Sequence, residues 1–390
     1  MKNIYKDFLD KAHSIYGDDF IPLHRPIFEG NEKKYLVDCI DSNFVSSVGA
    51  KVTEFEQKIA AFTGSKYAVA AVNGTAALHV ALEVAGVKPD DEVISQALTF
   101  VATCNAISYT GAKPIFVDVD LDTMGLSPAA LRQFLKNNAE KRPEGTFNKI
   151  SGKRISACVP MHTYGLPCRV AEIADICTDW GISLIEDAAE SLGSYIDKQH
   201  TGTFGNLATL SFNGNKVITT GGGGMIITND EDLAKRAKHV TTTAKVPHPY
   251  EFVHDEIGYN YRMPNLNAAL GCAQMEQLDD FLAKKTKVAD QWSDFFNVRN
   301  IEFCDAVDGS RTNYWLNAII LNSREERDNF LKFTNDNGVM TRPIWKLMSQ
   351  LEMYKDCQTD GLKNSLWLQD RVVNIPSSIP DGALKKQVSN

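Results

Sequence analysis

The chain has 390 residues, 43% of them hydrophobic and 23% charged, with a formal net charge of −8. That length accommodates two or three domains of ordinary globular composition, and the acidic balance argues against broad nucleic-acid binding while leaving room for a local basic pocket. No apolar run approaches a membrane span, and the opening MKNIYKDFLDKAHSIYG lacks the apolar core of a signal peptide, so a cytoplasmic protein without membrane or nucleic-acid partners is expected.

Residues 1–20 read as a polar, amphipathic lead-in, and the apolar spacing of 31–44 and 52–63 is helical. A repeating order follows. YAVAAV (67–72) reads as a strand and GTAALHVALEVAG (74–86) as a helix; DEVIS (91–95) is a strand and FVATCNAISYTG (100–111) a helix. KPIFVDVD (113–120) continues as a strand, and SPAALRQFLKNN (127–138) as a helix with Ser127 as N-cap and Pro128 in its first turn. ISACVPM (155–161), a helix near 170–180, ISLIED (182–187) and ATLSFN (208–213) extend the alternation. Short apolar strands interleaved with helices indicate an α/β fold around a mostly parallel sheet.

Beyond about residue 255 the pattern changes. A helical stretch covers 264–298, TNYWLNAIIL (312–321) reads as a strand, and Ser323 with Glu326 forms a capping box for a helix that stops at Gly338. VMTRPIW (339–345) reads as one more strand. The expected organisation is a lead-in over 1–20, a large domain over 21–255 and a smaller C-terminal α/β domain over 256–390. None of the eight cysteines pair as C-x-x-C, so reduced, buried thiols and no metal site are expected.

Ligands of parallel α/β sheets sit at the carboxyl ends of the strands. Asn73-Gly74-Thr75, His162, the run from Glu186 to Glu190, and Lys216 all follow apolar strands. Alone, Asn73-Gly74-Thr75 is an ordinary helix cap; with a partner site it is a phosphate cup at a helix N-terminus. Asp187 is either an ion-pair member or a cap, or else the partner of a protonated heterocycle nitrogen. Lys216 is either a solvated lysine or a desolvated amine nucleophile. The glycines at 221–224 carry a chain-entropy cost, and the expectation is a tight turn beside a ligand, free of obstructing side chains. Phosphate cup, buried aspartate and lysine in that order are what pyridoxal phosphate requires.

NGTAAL (73–78), PMHTYGLP (160–167), EDAAES (186–191), SFNGNKVITTGGGG (211–224) and GYNYRMPNLNAAL (258–270) together resemble the DegT-type nucleotide-sugar aminotransferases over nearly the whole chain, about 21–380. The resemblance implies the aspartate-aminotransferase-like fold (fold type I), with a large, mostly parallel seven-stranded sheet. It implies pyridoxal 5'-phosphate as cofactor, pyridoxamine phosphate in the half-reaction, and L-glutamate as amino donor. It makes Lys216 the Schiff-base lysine and proton shuttle and Asp187 the partner of the pyridine nitrogen. Gly74, Thr75 and Ser211 would hold the phosphate, Phe100 would stack on the ring, and Glu190 would lie near the ring hydroxyl. The family often has Gln or His at that last position. Asn260 would reach the cofactor of a neighbouring subunit, implying a homodimer with shared sites. Lys216 argues against the dehydratases of the family, which carry His there.

IPLHRPIFEGNEKKYL, SNFVSSVGAKVTEFE, NYWLN and TRPIW resemble the subgroup acting on UDP-linked 4-keto-6-deoxy-N-acetylhexosamines, of the bacillosamine or legionaminic acid type. That makes Arg25, Ser46, His162, Tyr314, Trp315 and Arg342 the substrate-side candidates, and a 4-amino sugar for surface-glycan biosynthesis the product. Competing readings are a dTDP- or GDP-linked keto sugar, a lyase of the same fold, and a non-catalytic cofactor- or sugar-binding regulator. A nicotinamide dehydrogenase is disfavoured, because the glycine run does not stand between a first strand and its helix.

Overall fold

A computed structural model describes residues 2–380; residues 381–390, the end of the expected C-terminal domain, lie outside the described residues. The main sheet has seven strands: β1 (Tyr67–Ala71), β2 (Glu92–Gln96), β3 (Lys113–Val117), β4 (Ile155–Val159), β5 (Ser183–Asp187), β6 (Leu207–Ser211) and β7 (Gly224–Thr228). Their order across the sheet is β1-β7-β6-β5-β4-β2-β3. Six run parallel to one another, and β7 is antiparallel to both its neighbours, β1 and β6. This is the seven-stranded, mostly parallel sheet that the resemblance implies.

Helices cover both faces. The alternation of the strands decides which residue meets which layer. Val93, Ala157 and Ile185 face a core shared with α2 (Gly74–Val84), α3 (Val101–Tyr109) and α6 (Glu231–Thr241). Their chain neighbours Ile94, Cys158 and Leu184 face the opposite core, shared with α4 (Pro128–Asn138) and α5 (Val170–Trp180). With both faces covered, the strands carry near-continuous apolar runs. All eight cysteines are free, and seven are buried.

The C-terminal part carries a second sheet, β8 (Glu302–Phe303), β9 (Asn317–Ile320), β10 (Arg342–Pro343) and β11 (Val372–Ile375), antiparallel in the order β8-β9-β11-β10. The helical stretch expected over 264–298 is formed by two helices, α7 (Asn265–Met275) and α8 (Leu278–Asn297). A further helix, α9 (Arg324–Asp336), is capped by Ser323 as the sequence indicates, its Oγ accepting from the Glu326 N–H. The N-terminal lead-in is a helix, α1 (Lys2–Tyr16). Its Phe8 and Ala12 are fully buried among Trp292, Phe296, Phe330 and Val339, so it packs on the C-terminal part. Among the described residues no helix is long and apolar enough to cross a membrane.

Candidate active site

A cavity of about 700 Å³ opens at the carboxyl ends of the parallel strands and is lined on its other side by Trp315, Arg342, Trp345 and Asn374 of the C-terminal part. The turn after β1 delivers Asn73, whose Oδ1 accepts from the Ala76 N–H at 2.8 Å and caps α2. The cap fixes the helix so that Gly74 and Thr75, both lining the cavity, present its first turn to the space. A Cβ on Gly74 would lie 3.0 Å from that of Ser211, the last residue of β6, so glycine keeps the cradle between the two strand ends open. Free N–H groups, the positive end of a helix and two flanking hydroxyls suit a phosphate.

Asp187 ends β5 and is only 5% exposed. Its Oδ2 accepts from the Thr103 hydroxyl at 2.7 Å and its Oδ1 from the Ala189 N–H at 3.2 Å. Among the described residues no cation pairs with it. A buried carboxylate held by neutral donors and facing a cavity suits a cationic ligand atom, because only an opposite charge offsets the desolvation.

Lys216 follows β6 through the turn that its own N–H closes on the Asn213 carbonyl. Its side chain is 13% exposed, with Nζ 3.3 Å from Glu190 Oε1 and 3.8 Å from the centre of the Trp315 indole. The indole N–H donates to the carbonyl of Asn215 at 2.6 Å, tying the ring to the lysine's own turn. Glu190 is fixed by its other oxygen, which accepts from the Tyr164 N–H at 2.8 Å. Tyr164 holds a left-handed backbone, φ 59° and ψ 13°, that non-glycine residues seldom adopt. Its ring packs 4.9 Å from that of Trp345. Phe100 stands half-exposed at the mouth, 6.2 Å from Trp345.

Burial pushes the Glu190 carboxyl up to about 7, against the opposing pull of Lys216. Such a carboxyl binds its proton more tightly folded than unfolded. Its contribution to stability therefore falls as pH rises from 4.5 to about 7 and is constant beyond. Glu190→Gln is expected to gain melting temperature relative to the wild type through that window and to hold the gain above it. Thermal unfolding at a series of pH values checks this; a difference that does not change with pH contradicts it.

Most of the other candidates lie elsewhere. His162 is fully enclosed: its Nδ1 accepts from the Cys168 N–H and its Nε2 donates to Glu186 Oε2 at 3.1 Å, so it offers nothing to a substrate. It fixes Glu186, which also accepts three backbone N–H groups, from Gly202, Phe204 and Gly205. Tyr314 turns its hydroxyl to Asp305 at 2.8 Å, outside the cavity lining, while its neighbour Trp315 enters the cavity. The cause is local: Tyr314 has φ 48°, which breaks the expected strand and confines β9 to Asn317–Ile320. Ser46 is exposed and engaged through its carbonyl with the Asn265 N–H. Arg25 is exposed and Asn260 is exposed, and neither lines this cavity. Arg342 does line it, with Nη1 held by Asn335 and the Thr341 carbonyl.

The glycine run is not a wall of the cavity either. Gly221 takes φ 78°, and a Cβ on Gly224 would stand 2.3 Å from the Asn73 carbonyl oxygen and 2.7 Å from the Gly74 nitrogen, closer than the latter's backbone could accept. Gly224 lets β7 enter the sheet directly behind the Asn73–Thr75 turn. Residues that the sequence reading did not single out, Thr103, Tyr164, Trp345 and Asn374, complete the site. Only Thr103 left a signal: with Thr99 it makes an i, i+4 hydroxyl pair at a helix start, and the two are 2.9 Å apart.

Comparison with known proteins agrees with this fold. A profile of the DegT/DnrJ/EryC1/StrS aminotransferase family matches residues 26–382. A GDP-perosamine synthase of Escherichia coli O157:H7 is 38% identical over 360 residues, covering 92% of this chain and 93% of its own. The GDP-perosamine synthase of Vibrio cholerae is 34% identical over 92% of this chain and 94% of its own. Among solved structures, the aminotransferase TlmJ of Streptoalloteichus hindustanus superposes with a TM-score of 0.83 at 24% identity, covering 92% of this chain and 93% of that one.

Proposed function

The chain belongs to the DegT/DnrJ/EryC1/StrS aminotransferase family and is a pyridoxal-phosphate-dependent aminotransferase; from that premise we propose that it moves an amino group from L-glutamate to C4 of a nucleotide-linked 4-keto-6-deoxy sugar, with GDP as the favoured nucleotide. The observation that carries the nucleotide is the 38% identity, over nearly the full length of both chains, to a GDP-perosamine synthase. That likeness favours GDP over the UDP-linked N-acetylhexosamine that the shorter motifs suggest.

The cofactor fits the residues present. Gly74, Thr75 and Ser211 would hold its phosphate, Asp187 its ring nitrogen, Phe100 its ring face, and Lys216 its reactive carbon. Bound there, the cofactor supplies the electron sink and carries nitrogen between the two substrates. The protein does the rest. Asp187 keeps a proton on the ring nitrogen, because the buried carboxylate gains more from a cation than from a neutral ring. Lys216 takes and returns the proton at the substrate carbon, a general-base role that needs its Nζ free of firm ion pairing. The 3.3 Å contact to Glu190 is long for a charge-assisted bond, and the raised proton affinity of that carboxyl weakens the pairing further near neutral pH. Tyr164, Trp315 and Trp345 form an apolar wall that excludes water.

Two wider assignments belong to the same proposal. The two sheets support a division of the chain near residue 255, with α1 allied by packing to the smaller part. A homodimer is supported by exposed Phe44, Val48, Tyr250, Phe252 and Ile257, apolar residues that a second copy would cover. Asn260 would then act across the interface. Sedimentation at micromolar concentration tests the dimer.

The deciding experiment uses the visible band of the cofactor-loaded protein. Glutamate should remove it, and after the donor is taken away a GDP-linked 4-keto-6-deoxy sugar should restore it. Restoration by the UDP-linked sugar alone would overturn the nucleotide assignment. A band that glutamate leaves untouched would overturn transamination from that donor.

A further inference from the structure

Lys285 stands on α8, outside the cavity and outside every role assigned above. It is 1% exposed. Its Nζ donates to the carbonyl of Ser377 at 2.8 Å and to that of Trp315 at 3.2 Å. Among the described residues no carboxylate pairs with it. A buried amine with carbonyl partners alone is costly to keep charged, and burial pushes its pKa down to about 7. An apolar side chain would fill the same space without that cost, so the position calls for a reason.

The reason lies in what the two carbonyls belong to. Trp315 is fixed at every polar handle. Its N–H donates to Asn313 Oδ1 at 2.8 Å, and the Asn313 amide donates in turn to the Glu190 carbonyl at 2.8 Å. The indole N–H holds the Asn215 carbonyl, next to Lys216 in the chain. The remaining handle, its carbonyl, is taken by Lys285. Ser377 extends the network: its N–H donates to the carbonyl of Leu23, a cavity-lining residue, at 2.7 Å, and its Oγ accepts from the Asn317 N–H at 2.7 Å. One ammonium thus joins the N-terminal segment, the approach to β9 and the segment after β11. A clamp for the chain's end would need the Ser377 bond alone; the Trp315 bond reaches the indole under the reactive amine.

We propose that Lys285 is a positioning residue for the transamination: by holding the Trp315 carbonyl it fixes the indole face against which Lys216 rests. The proposal depends on Lys216 being the reactive amine, as read above.

Lys285→Met keeps the stem and removes the donor. In the loaded enzyme it is expected to slow the single-turnover reaction with glutamate by about tenfold, as sub-ångström misplacement of a reacting group does. The KM for glutamate should stay within about twofold, since uniform binding is not what the contact supplies. In the cofactor-free protein the emission of Trp315, isolated as the difference between each protein and its Trp315→Phe partner, should shift in Lys285→Met. Lys285→Arg, which restores charge and donors, should return both readouts toward the wild type. A Lys285→Met protein that melts earlier but keeps the wild-type rate and Trp315 emission would overturn the proposal and leave a plain structural clamp. Should that variant not fold, Lys285→Gln takes its place with the same criteria. A wild type without any Lys216-dependent band would instead bring down the reading on which the proposal stands.

Discussion

Lys216→Ala is expected to lower turnover by on the order of 10⁴-fold, because in the proposed function one side chain supplies both the nucleophilic amine and the proton shuttle. The fold should survive the change. Lys216 is tied to its surroundings by a long contact to Glu190 and by the indole face of Trp315, both of which line the cavity. Loss of the ammonium leaves Glu190 without its cation, and a carboxyl already pushed up to about 7 by burial answers by keeping its proton. That response limits the penalty of an orphaned charge. The proposed phosphate-holding residues Gly74, Thr75 and Ser211 and Asp187 are untouched, so the variant should still retain cofactor through dialysis. The measurement is single-turnover conversion with glutamate, repeated with a small primary amine added in excess. A partial return of rate with the amine identifies the missing function as a proton-transfer base. A variant that turns over within tenfold of the wild type would remove Lys216 from the chemistry.

The parts of this site that could be read from the sequence are those fixed by the chain's local grammar. Strand ends in a parallel sheet point one way, so the sequence alone places the residues at the ends of β1, β5 and β6 together. Asn73 as cap, Asp187 as strand terminus and Lys216 after the last parallel strand all follow from that rule. What escaped depends on backbone conformations that apolar patterning does not encode. TNYWLNAIIL reads as ten residues of strand, yet the left-handed Tyr314 turns the first half aside and carries Trp315 into the cavity. His162 follows an apolar strand as the ligand rule requires, but the chain folds it inward onto Glu186, where a carboxylate needs a donor. β7 escaped for the opposite reason: four glycines precede a short apolar run, and glycine weakens any strand assignment. Gly224 is there because the β7 backbone passes so close to Asn73 and Gly74 that no side chain fits, and Gly221 because its φ is 78°, tertiary causes with a local signature of the wrong kind. Lys285 was one lysine among many on a helical stretch, and nothing in its spacing distinguishes a buried amine from a solvated one.

Asp187→Asn should cost about 10³-fold in turnover and yet leave the cofactor-free protein as stable as the wild type or more so. The two halves have one cause. Asp187 is 5% exposed and is held by the Thr103 hydroxyl and the Ala189 N–H, without a cation among the described residues. In the cofactor-free protein an ionised carboxylate in that position is an uncompensated charge, which an amide of the same shape relieves. With a protonated ring nitrogen opposite, the sign reverses: an adjacent carboxylate raises the affinity for that proton by up to about three pKa units, so its loss lowers the protonated fraction by up to about a thousandfold. Cofactor binding should therefore raise the melting temperature of the wild type more than that of Asp187→Asn. Thr103→Val tests the intermediate case. The charge stays, but its orienting hydrogen bond goes, a loss of about 10- to 100-fold for a bond to a charged group. Paired thermal melts with and without cofactor, read beside turnover, separate these outcomes. If Asp187→Asn destabilised the cofactor-free protein by as much as the loaded one, the carboxylate would be a structural anchor, and the cationic partner inferred for it would have to be abandoned.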